Sequence, residues 1–587
     1  MRPTLNKILK TRVSAFLKQS KFFPNSYDFI ALLLFMTLLA LIAINAESIH
    51  QPIAKLETNP ITLSIYNLPR YALNTTFRMF AAIILSLIFT FTVATLAAKS
   101  KRAEKLIIPA LDILQSVPVL GFLTFTVTFF MGLFPGNQIG VEIASIFAVF
   151  TAQAWNMAFS FYQSLRTVPQ DLRESSAQFR LNAWQKFWNL EVPFAIPGLV
   201  WNIMMSMSGS WFFVVASEAI SVGNTQISLP GIGSWLGLAI QQKDLAAVLW
   251  ATLAMAIVII LYDQIIFRPI VAWSERFNMG QTASQLQAKS WVYTVIKKTS
   301  VLAMITKPLK KLGNVLLDIK WPFKEKGFHY VSEQEIRTNK ILDILWLTLL
   351  SLFVACSLVF LIWYLHMGGI NAKAIIDVTV LGAITLLRVM ILVLLASLIW
   401  VPVGVLVGLR PSLVAWLQPV AQFLAAFPAN ILFPFAVVVI VKYKLNPDIW
   451  LSPLMILGTQ WYIFFNVIAG VSAFPNDLKE AANIYQVRSW TWWREVILPG
   501  ILPYYITGAL TATGGSWNAS IIAEIVRWGN TTLQAHGLGA YITTATIAGE
   551  IHKVVLGVGI MSVFVIVINK FFWRRLYTYS ANLTGLD

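Results

Sequence analysis

The feature that most constrains this chain is a series of twelve apolar runs, each about as long as the hydrocarbon core of a bilayer requires of a helix. A bilayer offers backbone polar groups no water, so each run must close its hydrogen bonds within a helix. We see no short alternating strands of the kind that build a barrel. The sequence therefore predicts an all-α polytopic membrane protein with about twelve transmembrane helices, near 28–45, 73–98, 107–133, 138–160, 194–222, 244–270, 341–365, 376–408, 413–441, 447–471, 500–526 and 549–572.

Composition excludes several other classes of protein. Only 12% of the 587 residues are charged and 57% are hydrophobic, whereas about 25% of a soluble domain is charged. A soluble enzyme, a disordered scaffold and a secreted disulfide-rich protein are therefore excluded. The single cysteine, Cys356, cannot form an intramolecular disulfide. The net charge of +18 fits the lysines and arginines of cytoplasmic loops better than a nucleic-acid partner, and we predict no nucleic acid.

The distribution of basic residues predicts the orientation. The tail 1–27 is basic throughout, which places the N-terminus in the cytoplasm, and an even number of spans returns the C-terminus there. The outer loops 134–137 and 223–242 contain no lysine or arginine, although Lys442 and Lys444 are placed outside. We expect a multi-pass protein of a bacterial inner membrane. The first run could be an uncleaved signal, but its length favours a true span.

The chain also repeats itself at a constant offset of 306 residues, which becomes 310 upstream. The predicted organisation is a first six-helix repeat over 28–270, a linker over 271–340 and a second repeat over 341–587. Equal spans in equal orientation make these parallel repeats, an architecture found in transporters. Residues that match include Arg78 and Arg388, Trp155 and Trp461, Glu174 and Glu480, Gly209-Ser210-Trp211 and Gly515-Ser516-Trp517, Glu218 and Glu524, and Gly231 and Gly537.

The linker 271–340 is strongly basic, with twelve lysines and arginines against five acids. One interpretation is a helix that lies on the anionic lipid surface of the cytoplasmic leaflet. The other is a cytoplasmic linker whose charge only enforces the topology.

The best-matched polar stretch covers 168–193 and 474–499, which we call elbow 1 and elbow 2. Each has an acidic helical run, whose charge complements the dipole of a helix N-terminus, then large aromatic residues, and ends at a proline. Exposed aromatic residues favour docking into a groove of a partner. The candidate coupling residues are Asp171, Glu174, Ser175, Ser176, Trp184 and Trp188 in elbow 1, and Asp477, Glu480, Ala481, Ala482, Trp490 and Trp493 in elbow 2.

These elbows resemble the EAA loop of binding-protein-dependent ABC transporter permeases of the type I fold. Glu480-Ala481-Ala482 matches the start of that loop, Leu498-Pro499 matches its end, and Glu174-Ser175-Ser176 is a looser version of the start. The glycine usual in the family is replaced by Arg180 and Gln486. The resemblance implies a type I ABC importer permease fold in which two permease units are fused in one chain.

The second repeat resembles one branch of that family. The stretches 386–413 and 417–440, and Gly537-Leu538-Gly539 after the Gly-Ser-Trp and Glu pattern, are similar to permeases for nitrate, sulfonate, taurine and bicarbonate. The resemblance implies a small-molecule substrate, an oxyanion or a sulfonate in class. It also implies two ABC ATPase subunits in the cytoplasm and a periplasmic or lipid-anchored solute-binding protein, in addition to membrane lipid.

The sequence contains no G-x-x-x-x-G-K-[ST] motif, so it offers no P-loop for a nucleotide phosphate. We therefore expect no enzyme activity in this chain and place ATP hydrolysis in separate subunits. A secondary transporter with two parallel six-helix halves is the alternative, but ionisable residues within the spans are sparse. A membrane-embedded enzyme would need clustered histidines or acids, which the sequence does not show.

Four charged residues near span ends are candidates for a gate or for ion pairs. We expect Arg78 to pair with Glu218 and Arg388 to pair with Glu524, and this position favours a structural role over contact with substrate. The repeated Gly-Ser-Trp pattern favours close helix packing over pore lining. Pro118 and Pro428 predict a kink or a break, where a half-helix end could bind an anion. No cofactor is predicted, and the five histidines show no metal spacing.

Overall fold

A computed structural model describes residues 61–115, 119–135, 137–179, 181–222, 225–277, 290–299, 333–472, 480, 482 and 484–584. The basic tail 1–27, the first predicted span near 28–45, most of the linker and Pro118 lie outside these residues.

The first repeat is built from helices joined by short turns. A β-hairpin interrupts the series after the longest of them. The elements are α1 Ile65–Lys99, α2 Lys101–Leu114, α3 Val119–Leu133, α4 Gln138–Arg166, α5 Gln170–Gln178, α6 Ala183–Glu218, β1 Ala219–Val222, β2 Thr225–Ser228, α7 Ile232–Gln242 and α8 Leu245–Phe277. A short helix, α9 Trp291–Lys298, follows in the linker.

The second repeat follows the same order, except that two helices, α14 Pro447–Met455 and α15 Gln460–Ser472, occupy the place of α4. Its described elements are α10 Glu333–Met367, α11 Ala372–Gly408, α12 Pro411–Ala426, α13 Ala429–Lys442, α14 Pro447–Met455, α15 Gln460–Ser472, α16 Ser489–Ala523, β3 Ile525–Trp528, β4 Thr531–Gln534, α17 Leu538–Ala548 and α18 Ile551–Ser580. α10 begins inside the predicted linker, and α8 ends at Phe277, past the predicted boundary of the first repeat.

In the structure, several elements of the two repeats begin and end at residues that differ by the repeat offset of 306. Both hairpins are antiparallel, with Ala219 opposite Ser228 and Ile525 opposite Gln534. The short helices α7 and α17 start and end at equivalent positions. π-helical turns also recur at equivalent places, Phe187–Glu191 and Trp493–Ile497, and such turns often mark functional sites. The hairpins were not predicted from the sequence.

Three predicted spans differ from straight helices. The run near 107–133 forms the two helices α2 and α3. The runs near 413–441 and 447–471 are bent pairs, with angles of 76° between α12 and α13 and 43° between α14 and α15. In the described residues seven helices are long and apolar enough to cross a membrane, or nine if each bent pair is one span. Prolines explain part of this, because Pro428 precedes α13 and cannot continue the hydrogen bonds of α12.

The chain divides into two compact units. In the smaller, the described residues lie within Thr167–Val200 and Leu261–His329. Here α9 packs on the last turns of α8 through Val292 and Val295, and the Ser290 side chain caps its N-terminus. Lys297 and Lys298 occupy its last turn.

In the larger unit, the described residues lie within Ile49–Arg166, Trp201–Ile260 and Tyr330–Asp587. In it α4 packs on α1 and α3, and α15 packs on α11 and α16. The largest fully buried side chains include Trp211, Trp235 and Trp517. Trp211 and Trp517 belong to the repeated Gly-Ser-Trp pattern and anchor the same helix position in both repeats.

Candidate functional site

Elbow 1 begins with the helix α5, which starts after Pro169. Asp171 lies in its first turn, where its charge opposes the positive end of the helix dipole. Glu174 is exposed and accepts a hydrogen bond from Gln170 Nε2 at 2.8 Å. Ser175 donates to the Asp171 carbonyl at 2.8 Å, whereas Ser176 is buried and donates to a carbonyl of its own helix. α5 therefore presents its acids to the solvent.

The aromatic residues of elbow 1 pack on one another. A capping box formed by Asn182 and Gln185 starts α6. The ring centroids of Trp184 and Trp188 are 5.7 Å apart, and Phe187 lies 5.1 Å from Trp188. Trp184 and Trp188 are thus half-buried rather than freely exposed, because aromatic rings gain from edge contacts with each other.

Elbow 2 is described from Glu480 onward, while Asp477 and Ala481 lie outside the described residues. Glu480 is exposed and Ala482 is buried. Trp490 is 70% exposed, unlike its counterpart in elbow 1. Trp493 is half-buried and packs on Trp492 with the ring centroids 5.8 Å apart.

Sequence reasoning missed one aromatic position in the elbows. Phe179 is 78% exposed and Tyr485 is 81% exposed, and the two are separated by the repeat offset. The offset alone could have identified them. The next residue in elbow 2, Gln486, occupies the position of the family's glycine and has a φ of 52°. That left-handed conformation favours glycine, so elbow 2 has the turn with a glutamine in place of glycine. The equivalent Arg180 is outside the described residues.

A buried charge cluster joins α1, α4 and the end of α6. We call Arg78, Glu142 and Glu218 cluster 1. Arg78 Nε and Nη2 each donate to Glu142 at 2.7 Å, and Arg78 Nη1 donates to Glu218 Oε1 at 2.6 Å. Arg78 is 3% exposed and Glu218 is fully buried. The structure brings together the predicted pair and adds Glu142, which the sequence analysis did not single out.

Cluster 2 consists of Arg388, Asp448 and Glu524. Arg388 Nη1 donates to Glu524 Oε1 at 3.2 Å, and Nη2 donates to Asp448 Oδ1 at 2.8 Å. Asp448 is the repeat equivalent of Glu142, so the 306-residue offset could have found both third members. The exposed His536 adds its Nδ1 at 3.0 Å from Asp448 Oδ2.

In both repeats the buried glutamate also contacts the N-terminus of a short helix. Glu218 Oε2 accepts from the Gly233 backbone N–H at 2.7 Å. A Cβ on Gly231 would lie 2.2 Å from the Glu218 carboxyl carbon, and one on Gly537 would lie 2.2 Å from Glu524 Oε2. Each glycine therefore lets a helix N-terminus, with its partial positive charge, approach a buried carboxylate.

The chemistry of the clusters favours a structural role. Arg78 donates from three nitrogens, and Glu218 accepts at both carboxylate oxygens. A buried pair of this kind is satisfied internally, and loss of one partner leaves an uncompensated charge. Each cluster can thus hold three helices and a short helix in register.

A separate cavity of about 70 Å³ lies between α6 of the first repeat and α12, α14, α15 and α16 of the second. It adjoins the bends in the α12–α13 and α14–α15 pairs. Among the described residues, no charged side chain lines it. Its lining combines three phenyl rings with three hydroxyl groups, those of Phe212, Phe213, Phe427, Ser208, Thr459 and Tyr462.

The glycines of the Gly-Ser-Trp pattern lie at this cavity. A Cβ on Gly209 would lie 2.8 Å from the Tyr462 hydroxyl, and a Cβ on Gly515 would lie 2.5 Å from Thr459 Cγ2. Both glycines line the cavity, and at both the lack of a side chain allows a neighbouring residue to approach closely. The preference for helix packing over pore lining stays a prediction. No group of metal-ligating side chains occurs in the described part of the chain.

Comparisons with known proteins place the chain among transport proteins. CmpB, the bicarbonate transport system permease protein of Synechococcus elongatus, is 32% identical over 164 residues, which are 28% of this chain and 56% of CmpB. NrtB, the nitrate import permease protein of Leptolyngbya laminosa, is 26% identical over 176 residues, 30% of this chain and 60% of NrtB.

A third relative has a different solute in its name. GbuB, the glycine betaine/carnitine transport permease protein of Listeria monocytogenes, is 29% identical over 174 residues, 29% of this chain and 54% of GbuB. The chain thus spans a little more than half the length of the curated relatives it matches.

The family comparison covers more of the chain and finds the duplication independently. One family, described as the inner membrane component of binding-protein-dependent transport systems, matches twice, over residues 86–268 and 400–578. These two matches fall in the two repeats and together include more than half of the chain. The apolar helices and the doubled match show a duplicated type I permease fold in a multi-pass inner membrane protein. The chain belongs to the family of binding-protein-dependent transport system inner membrane components.

Proposed function

We propose that this chain is the transmembrane permease subunit of an ATP-driven ABC importer and forms the pathway for a small oxyanion. The observation that carries the proposal is the pair of elbows. Each presents an exposed acid, Glu174 or Glu480, followed by an exposed aromatic ring, Phe179 or Tyr485. An exposed ring at the turn that ends a short helix, as Phe179 is after α5, is the kind of anchor that fills a groove on a partner.

Two ATPase subunits in the cytoplasm are the proposed partners of the elbows. Each elbow would insert its aromatic residue in a groove of one ATPase, and the acids would fix its orientation. Elbow 2 leads directly into α16, which carries Trp490 at its start and Gly515 beside the cavity. At 1.5 Å per residue this helix is about 50 Å long, so a displacement of elbow 2 would reach the cavity through one continuous helix.

The proposed substrate class is a small oxyanion such as nitrate or bicarbonate. The names of CmpB and NrtB support this class, and the name of GbuB supports a betaine as the other candidate. A periplasmic or lipid-anchored binding protein would deliver the solute on the side of the hairpins. A secondary transporter is not supported, because the family match is to a component of a binding-protein-dependent system.

Copurification tests the proposal directly. The tagged chain, extracted in mild detergent, should bring an ATPase with it. The double variant Glu174→Ala and Glu480→Ala should lose that ATPase, whereas Glu550→Ala, which removes an exposed acid outside the elbows, should retain it. If the chain copurified with no ATPase, or if it moved solute in vesicles without ATP, the proposal would be wrong.

The orientation can be tested with the single native cysteine removed. In a Cys356→Ser background, cysteine is introduced at Phe179 or Tyr485, both exposed. A membrane-impermeant maleimide should label these positions in inside-out vesicles and not in intact spheroplasts. Labelling only in spheroplasts would place the elbows outside and contradict the proposed coupling role.

A further inference from the structure

We propose that the cavity between the repeats is a substrate subsite for a planar oxyanion no larger than nitrate or bicarbonate, held by a hydrogen bond from the Tyr462 hydroxyl. This inference rests on the proposed function and deepens it by naming a residue and a size limit. It concerns a place within the membrane pathway and not the elbows or the charge clusters.

The Tyr462 hydroxyl is a free donor at the cavity wall. No described group accepts a hydrogen bond from it, and it points toward Gly209, where any side chain would occupy the same space. A hydroxyl that lines an otherwise largely apolar cavity without a partner retains its capacity to bind a ligand. Gly209 keeps that space open.

The other two hydroxyl groups of the cavity already have protein partners. Ser208 donates to the Met204 carbonyl at 3.1 Å, and Thr459 shares a hydrogen bond of 2.9 Å with Ser516. Tyr462 is therefore the donor among these three that is available to a solute.

The space inside the cavity, which is partly open to its surroundings, favours a small solute. Its volume of about 70 Å³ is roughly half that of a 150 Å³ protein cavity that admits benzene. A small planar oxyanion fits such a space. An alkyl sulfonate is larger, and so is a betaine, which also carries a trimethylammonium group; either would extend beyond this space.

The charge of the lining determines how tightly an anion can bind. No charged side chain lines the cavity among the described residues, so an anion would find hydrogen bonds without a counter-charge. Binding of this kind is weak. A pathway needs sites that a solute can leave as well as enter, and a weak subsite satisfies that requirement.

Uptake by the complete system tests the inference. The chain, purified with its ATPase and binding protein, is placed in proteoliposomes and given isotope-labelled nitrate, bicarbonate, taurine or glycine betaine in separate assays. Tyr462→Phe keeps the ring and removes the hydroxyl, and it should lower oxyanion uptake about tenfold or more, as expected for loss of a hydrogen bond to a charged group. Tyr443→Phe, at an exposed tyrosine, should transport as the unmodified protein does.

A pair of glycine variants tests the space itself. Gly515→Ala places a methyl group in the cavity wall and should reduce oxyanion uptake, whereas Gly514→Ala, with no atom within 4 Å of its Cβ, should not. Full oxyanion uptake by Tyr462→Phe would overturn the inference, as would taurine or betaine uptake at rates equal to those of the oxyanions. Both results would leave the role as an ABC permease intact, because that role fails if no ATPase associates with the chain or if the chain moves solute without ATP.

Discussion

The two repeats share a backbone plan but differ where their broken helices begin. In the first repeat α3 starts at Val119, whose backbone N–H donates to Asn518 Oδ1 of the second repeat at 2.7 Å. In the second repeat α13 starts at the equivalent Ala429, and the residue equivalent to Asn518 is Phe212. No side chain caps that end, and both Phe212 and Ala429 line the cavity. One substitution between the repeats, phenylalanine for asparagine, thus turns a capped helix end into a cavity wall.

The charge clusters show a smaller difference. Arg78 of cluster 1 is 3% exposed and makes two hydrogen bonds to Glu142, whereas Arg388 of cluster 2 is 13% exposed and makes one to the shorter Asp448. The second carboxylate oxygen of Asp448 contacts the exposed His536 ring. Cluster 1 is therefore the more enclosed of the two. Its charges have less access to water, so each relies more on its charged partners for compensation.

The largest expected effect is the loss of a buried carboxylate. Glu218→Gln should lower the free energy of unfolding by about 3 kcal/mol, because it leaves part of the Arg78 charge uncompensated in a buried site. Glu524→Gln should cost less, since Arg388 is nearer the surface. Thermal unfolding of the purified chain measures both, with the exposed Glu550→Gln as the control. An equal loss of unfolding free energy in the two variants would show that the two clusters stabilise the protein equally, and the proposed difference between them would be wrong.

The helix cap provides the next effect. Asn518→Ala should destabilise the protein by about 1 kcal/mol, the usual cost of a lost N-cap, because the Val119 N–H loses its acceptor. Asn518→Asp retains an accepting oxygen and should lie closer to the unmodified protein. The same thermal assay applies, and a loss as large in the aspartate variant would indicate that packing, not capping, is responsible.

A stabilising effect is expected in elbow 2. Gln486 has a φ of 52°, a conformation that is unfavourable for residues other than glycine. Gln486→Gly should therefore raise the free energy of unfolding by roughly 0.5–1 kcal/mol. The control Glu495→Gly, within a helical turn, should lower the free energy of unfolding. A loss of stability in Gln486→Gly would show that contacts of the glutamine side chain stabilise the protein by more than the strained backbone destabilises it.

The smallest effect concerns the contact that distinguishes cluster 2. His536 is exposed and its pairing with Asp448 is accessible to water, so His536→Ala should change stability by less than about 1 kcal/mol. Thermal unfolding at low and high salt is the measurement. A loss of several kcal/mol of unfolding free energy that vanished in high salt would mean that this contact stabilises cluster 2 more than its exposure to water indicates.

The elbows show how far sequence reasoning reached. Their positions, their acids and their relation to each other follow from the offset of 306 residues. Which aromatic residues are exposed did not follow, because Trp184 and Trp188 shield each other while Phe179, chosen by no sequence criterion, is exposed. Hydrophobic residue type predicts a preference for contact, but whether the contact is internal or with a partner depends on the neighbours.

The spans give a similar lesson. Apolar length located α11 and α18 well, since both are long continuous helices. It could not locate the bends of 76° and 43° in the second repeat, because a hydropathy pattern records the average environment and not the local hydrogen bonding. Pro428 marked one bend in advance.

By itself the sequence determined the membrane class, the duplication, the two elbows and the pairing of Arg78 with Glu218 as an expectation. The first three follow from composition or from the constant offset between the repeats, and the pairing follows from the predicted positions of the two residues near span ends. Only the tertiary structure decided that Glu142 and Asp448 complete the clusters, and that Tyr462 and Gly209 meet at a cavity. Those relations join residues far apart in the sequence, and they depend on where bent helices place side chains, which no local pattern records.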